Sequence, residues 1–473
     1  MEKIIFTTKF SMIGNQSQIR LDPKYRYFKD EKKNKTSLLR NISNLKSIPL
    51  SSILKLTKTQ IVKKGDLDEE MILVDLDDIE PGFGILKQER IVTEIGSDKT
   101  VFAESDILCS KIAPNKGHFF LNDKTKKYIG TTELIGYKFK NRKWNKKYLL
   151  YLLLNKNFRE DLELLTSGKT HPRIHIPDFL AMRIPDIEYS KQLKIVEEIE
   201  KIETKISQIK QKIESLQYII DDIFEKYGYP TKPRLKRDKK YTLSNKFSNI
   251  AKTNWLSIRP YLCRFVENEL TLFLKENLKD RYIPFNKYVD KIRSGEYIPK
   301  KYYSSNDTNF IYLRVNNISS NELNLEEPIF LQENIGEQYK DIAINKKDLI
   351  LTRSGTIGKC IIFEKKPEDR RFFIPSHHLA IMQFNNLENA VFLKYYLQSS
   401  FGLDFFWAFS TGKSQKEITN WSIRKLPIPT VDKITIEKIV SEIQQREEKS
   451  NQYKEQIKEL RDEIDNFIYQ SLN

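Results

Sequence analysis

Two Gly-Lys triplets, two histidine pairs and one carboxylate-lysine set are the groupings of this 473-residue chain that resemble reactive sites. Ser167-Gly168-Lys169-Thr170 and Thr411-Gly412-Lys413-Ser414 end as a phosphate-cradling loop ends. That loop needs a glycine five residues before its second glycine, and those positions hold Glu163 and Trp407. Gly355-Thr356-Ile357-Gly358-Lys359 is too short and runs into Cys360 rather than Ser or Thr. ATP binding is not expected from these motifs. Pro185-Asp186 with Glu203-Thr204-Lys205 has the residue types of a metal-dependent nuclease, but the Glu and Lys fall in a heptad-patterned helix and not on a strand beside the Asp. His171 and His175 have helical zinc-ligand spacing, yet Pro172 and Pro177 oppose a helix there. His377-His378 follows Pro375 with no companion Cys or Glu at a useful distance, which favours a packed or polar surface role. No Asn-Pro-Pro-aromatic segment of the kind that holds a flipped base occurs, and Pro81-Gly82-Phe83-Gly84 is too little for a cofactor loop. No catalytic residue, metal site or cofactor is expected in the chain itself.

The segments that carry these residues come twice. Ser167-Gly168-Lys169-Thr170 leads through Arg183-Ile184-Pro185 into a helix beginning near Lys191; Thr411-Gly412-Lys413-Ser414 leads through Lys425-Leu426-Pro427-Ile428-Pro429 into one beginning near Ile434. The offset is about 240 positions, as a tandem duplication of a large unit produces. At nearly the same offset Glu104-Ser105-Asp106-Ile107-Leu108-Cys109-Ser110-Lys111 parallels Lys346-Lys347-Asp348-Leu349-Ile350-Leu351-Thr352-Arg353, and Ile19-Arg20 more loosely parallels Ile258-Arg259.

Each half ends in a heptad seam. In the first it runs through Ile195, Ile199, Ile202, Ile206, Ile209, Ile213, Leu216, Ile220 and Ile223, with Glu and Lys between. In the second it runs through Ile436, Ile439, Ile443, Tyr453, Ile457, Leu460, Ile464 and Phe467, with Arg446 and Ser450 midway, where a polar pair weakens contact and fixes register. A narrow apolar seam needs a partner helix, and the nearest is the other one. The two are expected to pair antiparallel about a pseudo-two-fold axis, in a rod of roughly 45 Å at ~1.5 Å per residue. Homodimerisation through the same seams, or a plain spacer, is the alternative. Pro230-Thr231-Lys232-Pro233-Arg234-Leu235-Lys236-Arg237-Asp238-Lys239-Lys240 reads as an exposed basic linker between the halves.

A net charge of +17 points to a polyanion, nucleic acid first, because clustered Lys and Arg gain free energy by releasing counterions from phosphates. The alternative is a basic composition with no such partner. Cys109, Cys263 and Cys360 form no CxxC, so neither a disulfide framework nor a zinc ribbon is indicated, and a reducing cytosol fits. With no secretion signal at Met1 to Phe10 and no run of ~18 apolar residues, a cytoplasmic, non-membrane protein is expected. Leu349 to Phe363 reads as strand, Gly-containing turn and strand, with Arg353, Ser354 and Lys359 at or near the turn. Many of the aromatics, 11% of the chain, lie beside basic or amide residues. Arg to guanine and Asn to adenine are the common base readers, and Lys and Ser hold phosphates. The residues expected to face DNA are Lys111, Lys116, Lys169, Thr170 and Arg173 in the first half. In the second they are Arg293, Arg314, Asn316, Asn317, Arg353, Ser354, Lys359, Lys413, Ser414 and Gln415.

The strand-turn-strand LTRSGTIGKCIIF, the STGKSQKEI loop, the KLPIP exit and the heptad helix, with LTSGKT, MRIPDI and KQLKIVEEIE in the first half, resemble the DNA-specificity subunit of type I restriction-modification systems. The resemblance covers nearly the whole chain, in both repeats and in order. It implies an α+β fold: two tandem target-recognition domains with mixed sheets and helices, separated by two long helices in an antiparallel coiled coil with pseudo-two-fold symmetry. The corresponding boundaries are recognition domain one at 1–189, helix one at 190–228, basic linker at 229–240, recognition domain two at 241–430 and helix two at 431–473. It also implies a double-stranded DNA target read in two halves, methyltransferase subunits that bring S-adenosylmethionine, and restriction/translocase subunits that use ATP and Mg. The first half departs from the pattern: Ala113-Pro114-Asn115-Lys116-Gly117 replaces the Ser-Gly-Thr-Ile-Gly turn, His171-Pro172-Arg173 replaces Gln415-Lys416-Glu417, and the exit has one proline fewer. That points to a differently shaped reader with a different half-site. Three rival readings stay open: a non-catalytic coiled-coil adaptor, a DNA reader of another defence or modification complex, and an enzyme with an unrecognised site.

Overall fold

A run such as Leu349-Ile350-Leu351-Thr352, with three consecutive large apolar side chains, can be a strand only if both of its faces are covered, and all four residues are buried. It lies inside a four-stranded antiparallel sheet of order Lys291–Ser294, Leu379–Gln383, Leu349–Thr352, Cys360–Ile362. Ile107–Ser110 is equally buried and lies inside the sheet Leu54–Leu56, Leu134–Phe139, Ile107–Ser110, Phe119–Leu121. The two segments aligned by sequence therefore hold the same place in the same sheet.

The computed structural model describes residues 22–39, 45–122, 126–168, 171–229, 282–319, 322–412 and 416–472. The basic linker, the Ile19-Arg20 and Ile258-Arg259 matches, and Lys169, Thr170, Lys413, Ser414 and Gln415 lie outside these residues. The chain divides into two compact units, residues 1–211 with 455–473, and residues 212–454.

Each unit adds a second, mixed sheet. In the first unit it has five strands, in the order Gln60–Val62, Lys99–Val101, Tyr128–Gly130, Met71–Val74, Arg90–Val92. In the second it has four, in the order Tyr303–Ser304, Phe330–Leu331, Phe310–Leu313, Phe372–Pro375. Both contain one parallel pair, Met71–Val74 with Tyr128–Gly130 and Phe310–Leu313 with Phe372–Pro375. Two short helices follow in each unit, Lys146–Leu154 and Lys156–Leu165, then Leu387–Gln398 and Ser400–Phe409. Each begins at an Asn or Ser whose side chain accepts from a backbone N–H of the first turn: Asn145, Asn155, Asn386 and Ser399. The fold is α+β, as expected.

The first heptad helix is not continuous over 190–228. It runs from Tyr189 to Lys210, stops, and restarts as Leu216–Lys226. The restart has a local cause: the Ser215 hydroxyl caps the new helix by accepting from Tyr218 N at 3.2 Å. Of the expected seam, Ile195, Ile199, Ile202, Ile206 and Ile220 are buried, whereas Ile209, Ile213 and Leu216 near the break are only partly so. The second helix is unbroken from Lys433 to Leu472. Ile443, Ile457 and Ile464 are buried, Tyr453 and Leu460 partly, and Ile468 is buried where Phe467 was expected.

Within the second unit the helices run in opposite directions. Ser450 Oγ accepts from Glu214 N at 3.3 Å, while Glu442 accepts from Tyr227 Oη at 2.7 Å and Lys226 Nζ at 2.6 Å. Arg446 pairs with both Glu214 and Asp222. The polar pair in the seam thus sits where the first helix breaks, and Ser450 satisfies a backbone N–H that the break leaves without a helical partner. In the first unit Arg461 meets Glu203 at 3.4 Å. No helix among the described residues is long and apolar enough to cross a membrane.

Candidate nucleic-acid interface

The turn and the Gly-Lys hairpin, far apart in sequence, are joined in the same way in both units. In the second unit Gly355 N donates to Lys416 O at 2.9 Å and Ile418 N to Arg353 O at 2.8 Å. In the first unit Ala113 N donates to Pro172 O at 2.8 Å and Ile174 N to Lys111 O at 3.0 Å. The hairpins are closed by Thr411 and Glu417 in one unit, and by Thr166 with Ile174 and Ser167 with Arg173 in the other. Both junctions are also tied to the strand-pairing edge beside them, Arg353 N to His378 O and Lys111 N to Glu133 O. This explains why the two motifs recur in order: each is half of one loop platform.

The turns differ in detail. Thr352 N reaches Lys359 O at 2.8 Å, and the Thr352 hydroxyl donates to Thr356 O at 2.6 Å, which pins the interior of the loop. The first-unit turn is one residue longer, closing from Ser110 N to His118 O at 3.1 Å. Its Ala113 takes φ 42°, a left-handed conformation that costs a residue with a Cβ, where the second unit has Gly355 at φ 74°.

Beside the second platform lies a cleft of about 370 Å³, lined on one side by Arg314, Val315 and Asn316 and on others by Tyr297, Lys300, Ser354, Gly355, Ser376, His377 and His378. Three expected residues, Arg314, Asn316 and Ser354, meet there. Arg314 and Asn316 are exposed on the single 3-10 turn that follows the strand Phe310–Leu313, and Ser354 is buried. Tyr297, Lys300 and the histidine pair were not singled out as DNA-facing. The histidine pair arrives through strand register, which sets Leu379 opposite Thr352 and brings His378 to Arg353, and the stretch holding Tyr297 and Lys300 is joined by the bridge of Glu296 to Ser376; no local signal in the sequence carries that approach.

Other expected residues are committed to the fold. Asn317 is buried; its Oδ1 accepts from Arg314 N at 2.8 Å and its Nδ2 donates to Asn324 O at 3.0 Å, so both ends of its amide shape the turn. Arg353 donates to Ser294 Oγ, Asn420 Oδ1 and Glu417 Oε1 at 2.9, 3.3 and 3.4 Å. It braces the platform from beneath. Arg293 donates to Ala343 O at 3.1 Å, and its burial lowers its proton affinity against the attraction of Asp348. Lys359 is half-buried. In the first unit Lys116 is exposed, Lys111 Nζ reaches Thr132 O at 2.9 Å, and Arg173 pairs with Glu133 at 2.9 Å, holding that carboxyl below its ordinary range. Burial, and then His378 and Arg353, lower the pKa of His377. Burial, and then Lys116 and Lys87, do the same to His118. Among the described residues no cluster of His, Cys, Asp and Glu could hold a metal ion.

A family model described as the type I restriction modification DNA specificity domain matches residues 87–218 and 287–460. No protein of curated description matches the sequence. Among solved structures, a chain from a study of complex assembly and conformational transition of the type I restriction-modification system is 12% identical, with TM-score 0.44, covering 91% of this chain and 98% of that one. The specificity subunit of the type I system of M. genitalium is 14% identical, with TM-score 0.37, covering 92% and 98%. The HsdS subunit of Thermoanaerobacter tengcongensis is 12% identical, with TM-score 0.33, covering 91% and 97%.

Proposed function

Since the chain belongs to the type I restriction-modification DNA specificity family, we propose that it is the non-catalytic, sequence-reading subunit of such a complex. Each unit reads one half of a split double-stranded DNA target. Methyltransferase subunits, carrying S-adenosylmethionine, and restriction subunits, using ATP and Mg, assemble on it and supply the chemistry, in the cytoplasm. The observation that carries this reading is the loop platform built twice from residues at the same repeat positions, with the same pair of inter-loop hydrogen bonds. Two equivalent platforms with different exposed residues are what a reader of two unlike half-sites needs. The charge of +17 supplies the sequence-independent part of the affinity through phosphate contacts. Lys116 and Lys359 are the phosphate contacts on this reading, while Arg353, Arg293 and Asn317 are structural and Lys111 and Arg173 are held by Thr132 and Glu133. The recognition domains are the sheet-bearing parts, near 1–189 and 241–430, and the helices fix the unread spacer between half-sites.

Co-expression with the adenine methyltransferase subunit of a type I system, followed by single-molecule sequencing of methylated adenines, tests it. A split motif with a fixed spacer is expected. Unsplit or absent methylation by an assembled, active complex overturns the reading.

A further inference from the structure

The cleft of the second unit holds more recognition chemistry than a phosphate clamp needs. Ser376 Oγ, His377 Nδ1 and His378 Nδ1 are buried and have no hydrogen-bond partner among the described residues. Ser376 itself is only 2% exposed. Unpartnered buried polar atoms are rare in folded proteins because each carries an uncompensated desolvation cost, and an external ligand is one way to remove it. The histidine rings stand 3.8 Å apart, and Tyr297 meets His377 edge-on at 5.3 Å. Desolvation, then His378 and Arg353, favour neutral His377, and a neutral imidazole offers one donor and one acceptor. A base edge, which also alternates donors and acceptors, matches that wall better than a bare phosphate does.

Arg314 stands at the rim. It makes no ion pair among the described residues, and its backbone is fixed by the Asn317 amide at 2.8 Å. An exposed guanidinium on a rigid turn, unneutralised by the protein, has the planar fork that fits the O6 and N7 of guanine. The equivalent turn of the first unit carries Asp75, which is neutralised by Lys99 and Arg90.

We propose that Arg314 is the specificity-determining residue of the second unit and reads a guanine of its half-site, with Asn316, Ser376 and the histidine pair lining the adjoining base. This rests on the DNA-reading function proposed above. The test uses the full chain co-expressed with the adenine methyltransferase, as wild type, Arg314→Ala and Arg314→Lys, with assembly checked by size exclusion and methylated motifs read by single-molecule sequencing. Loss of a bidentate base contact relaxes discrimination by roughly 5- to 150-fold. Arg314→Ala is therefore expected to make one G·C position degenerate in one half-site only, leaving the other half intact. Arg314→Lys keeps the charge without the fork and is expected not to restore that position. An unchanged motif in Arg314→Ala overturns the assignment. So does a uniform fall in methylation that Arg314→Lys rescues, since that marks a phosphate contact only. Failure of the wild-type complex to give any split motif is a separate outcome, and it overturns the functional reading together with this assignment.

Discussion

After the strand that enters the parallel pair, the two units make the same turn with opposite charge. In the second unit Arg314 N donates to the Asn317 side chain at 2.8 Å; in the first, Asp75 N donates to the Asp78 side chain, also at 2.8 Å. Both turns are 3-10 helices of three residues following an extended cap. Their outward positions are Arg314 and Asn316 in one unit and Asp75 and Asp77 in the other. Asp75 is held by Lys99 at 2.7 Å and Arg90 at 3.3 Å, so the first unit spends two cations on its own surface where the second leaves its arginine to solvent. The duplicated backbone is thus a holder, and the side chains it displays have diverged. An Asp or Asn at the last turn position serves the holder, and the residues one and three places before it are open to change.

If the holder is shared, equivalent structural residues should fail alike. Asp221 and Asp465 occupy matching repeat positions and brace the same helix start: Asp221 accepts from Ser400 N at 2.9 Å and from its hydroxyl, and Asp465 accepts from Lys156 N at 3.3 Å. Asp221→Ala leaves a buried hydroxyl and an amide without their partner, at about 2–3 kcal/mol. Asp465→Ala removes one longer bond from a half-buried site, at about 1 kcal/mol. Hydrogen exchange resolved by unit should show each loss in its own unit, 212–454 for Asp221 and 1–211 with 455–473 for Asp465. Equal loss in both units from either variant contradicts the pairing of roles.

The charge difference is open to direct reversal. Asp75→Arg sets a third cation beside Lys99 and Arg90, at roughly 1–2 kcal/mol after allowance for the solvent exposure of the site. It should also steepen the salt dependence of duplex binding, by a slope of about 0.9 for one added phosphate contact. Fluorescence anisotropy across a salt series checks this. An unchanged slope would mean that the first-unit turn does not face DNA.

Backbone strain gives a smaller and reciprocal test. Ala113 at φ 42° stands where the second unit has Gly355 at φ 74°. Ala113→Gly relieves a left-handed alanine but loosens the unfolded chain, for a net gain of about 0.5 kcal/mol; Gly355→Ala should cost about 1 kcal/mol. Denaturant unfolding of both variants measures the two signs, and a loss from Ala113→Gly would show that the alanine methyl packs more usefully than its backbone suffers.

These contrasts mark what was legible in the sequence. The duplication, the strand-turn-strand at Leu349 to Phe363, and the recurring turn and Gly-Lys motifs are legible, because runs of apolar residues and glycine-bearing turns are local signals. The break at 211–215 is hidden because the heptad count continues smoothly from Ile209 through Ile213 to Leu216; its one local signal is Ser215 directly before a helical start. Residue type says nothing of direction, so Arg353 and Asn317 look like DNA-facing residues in the sequence. Only the tertiary contacts with Ser294, Asn420 and Asn324 turn them inward. The cleft itself is made by residues from four separate stretches, which no spacing rule joins.

The smallest effect tests whether the units share a titration as well as a backbone. His377 and His118 each sit beside a platform turn with the pKa lowered, first by burial and then by neighbouring cations or imidazole. A lowered folded-state value means that the neutral form is favoured in the native protein. The stability contribution is therefore complete above the ordinary imidazole value of about 6.5 and is lost as pH falls through the folded value. Glu133, whose carboxyl Arg173 holds down, adds to the first unit a contribution present above the ordinary carboxylate range and lost only at more acid pH. Unit-resolved hydrogen exchange between pH 8 and 5 should show both units loosening slightly on the acid side. His377→Gln should flatten that dependence in the second unit and leave the first, and His118→Gln the reverse. If either variant flattened both, the titration would belong to the whole molecule and the likeness of the two turns would not extend to their electrostatics.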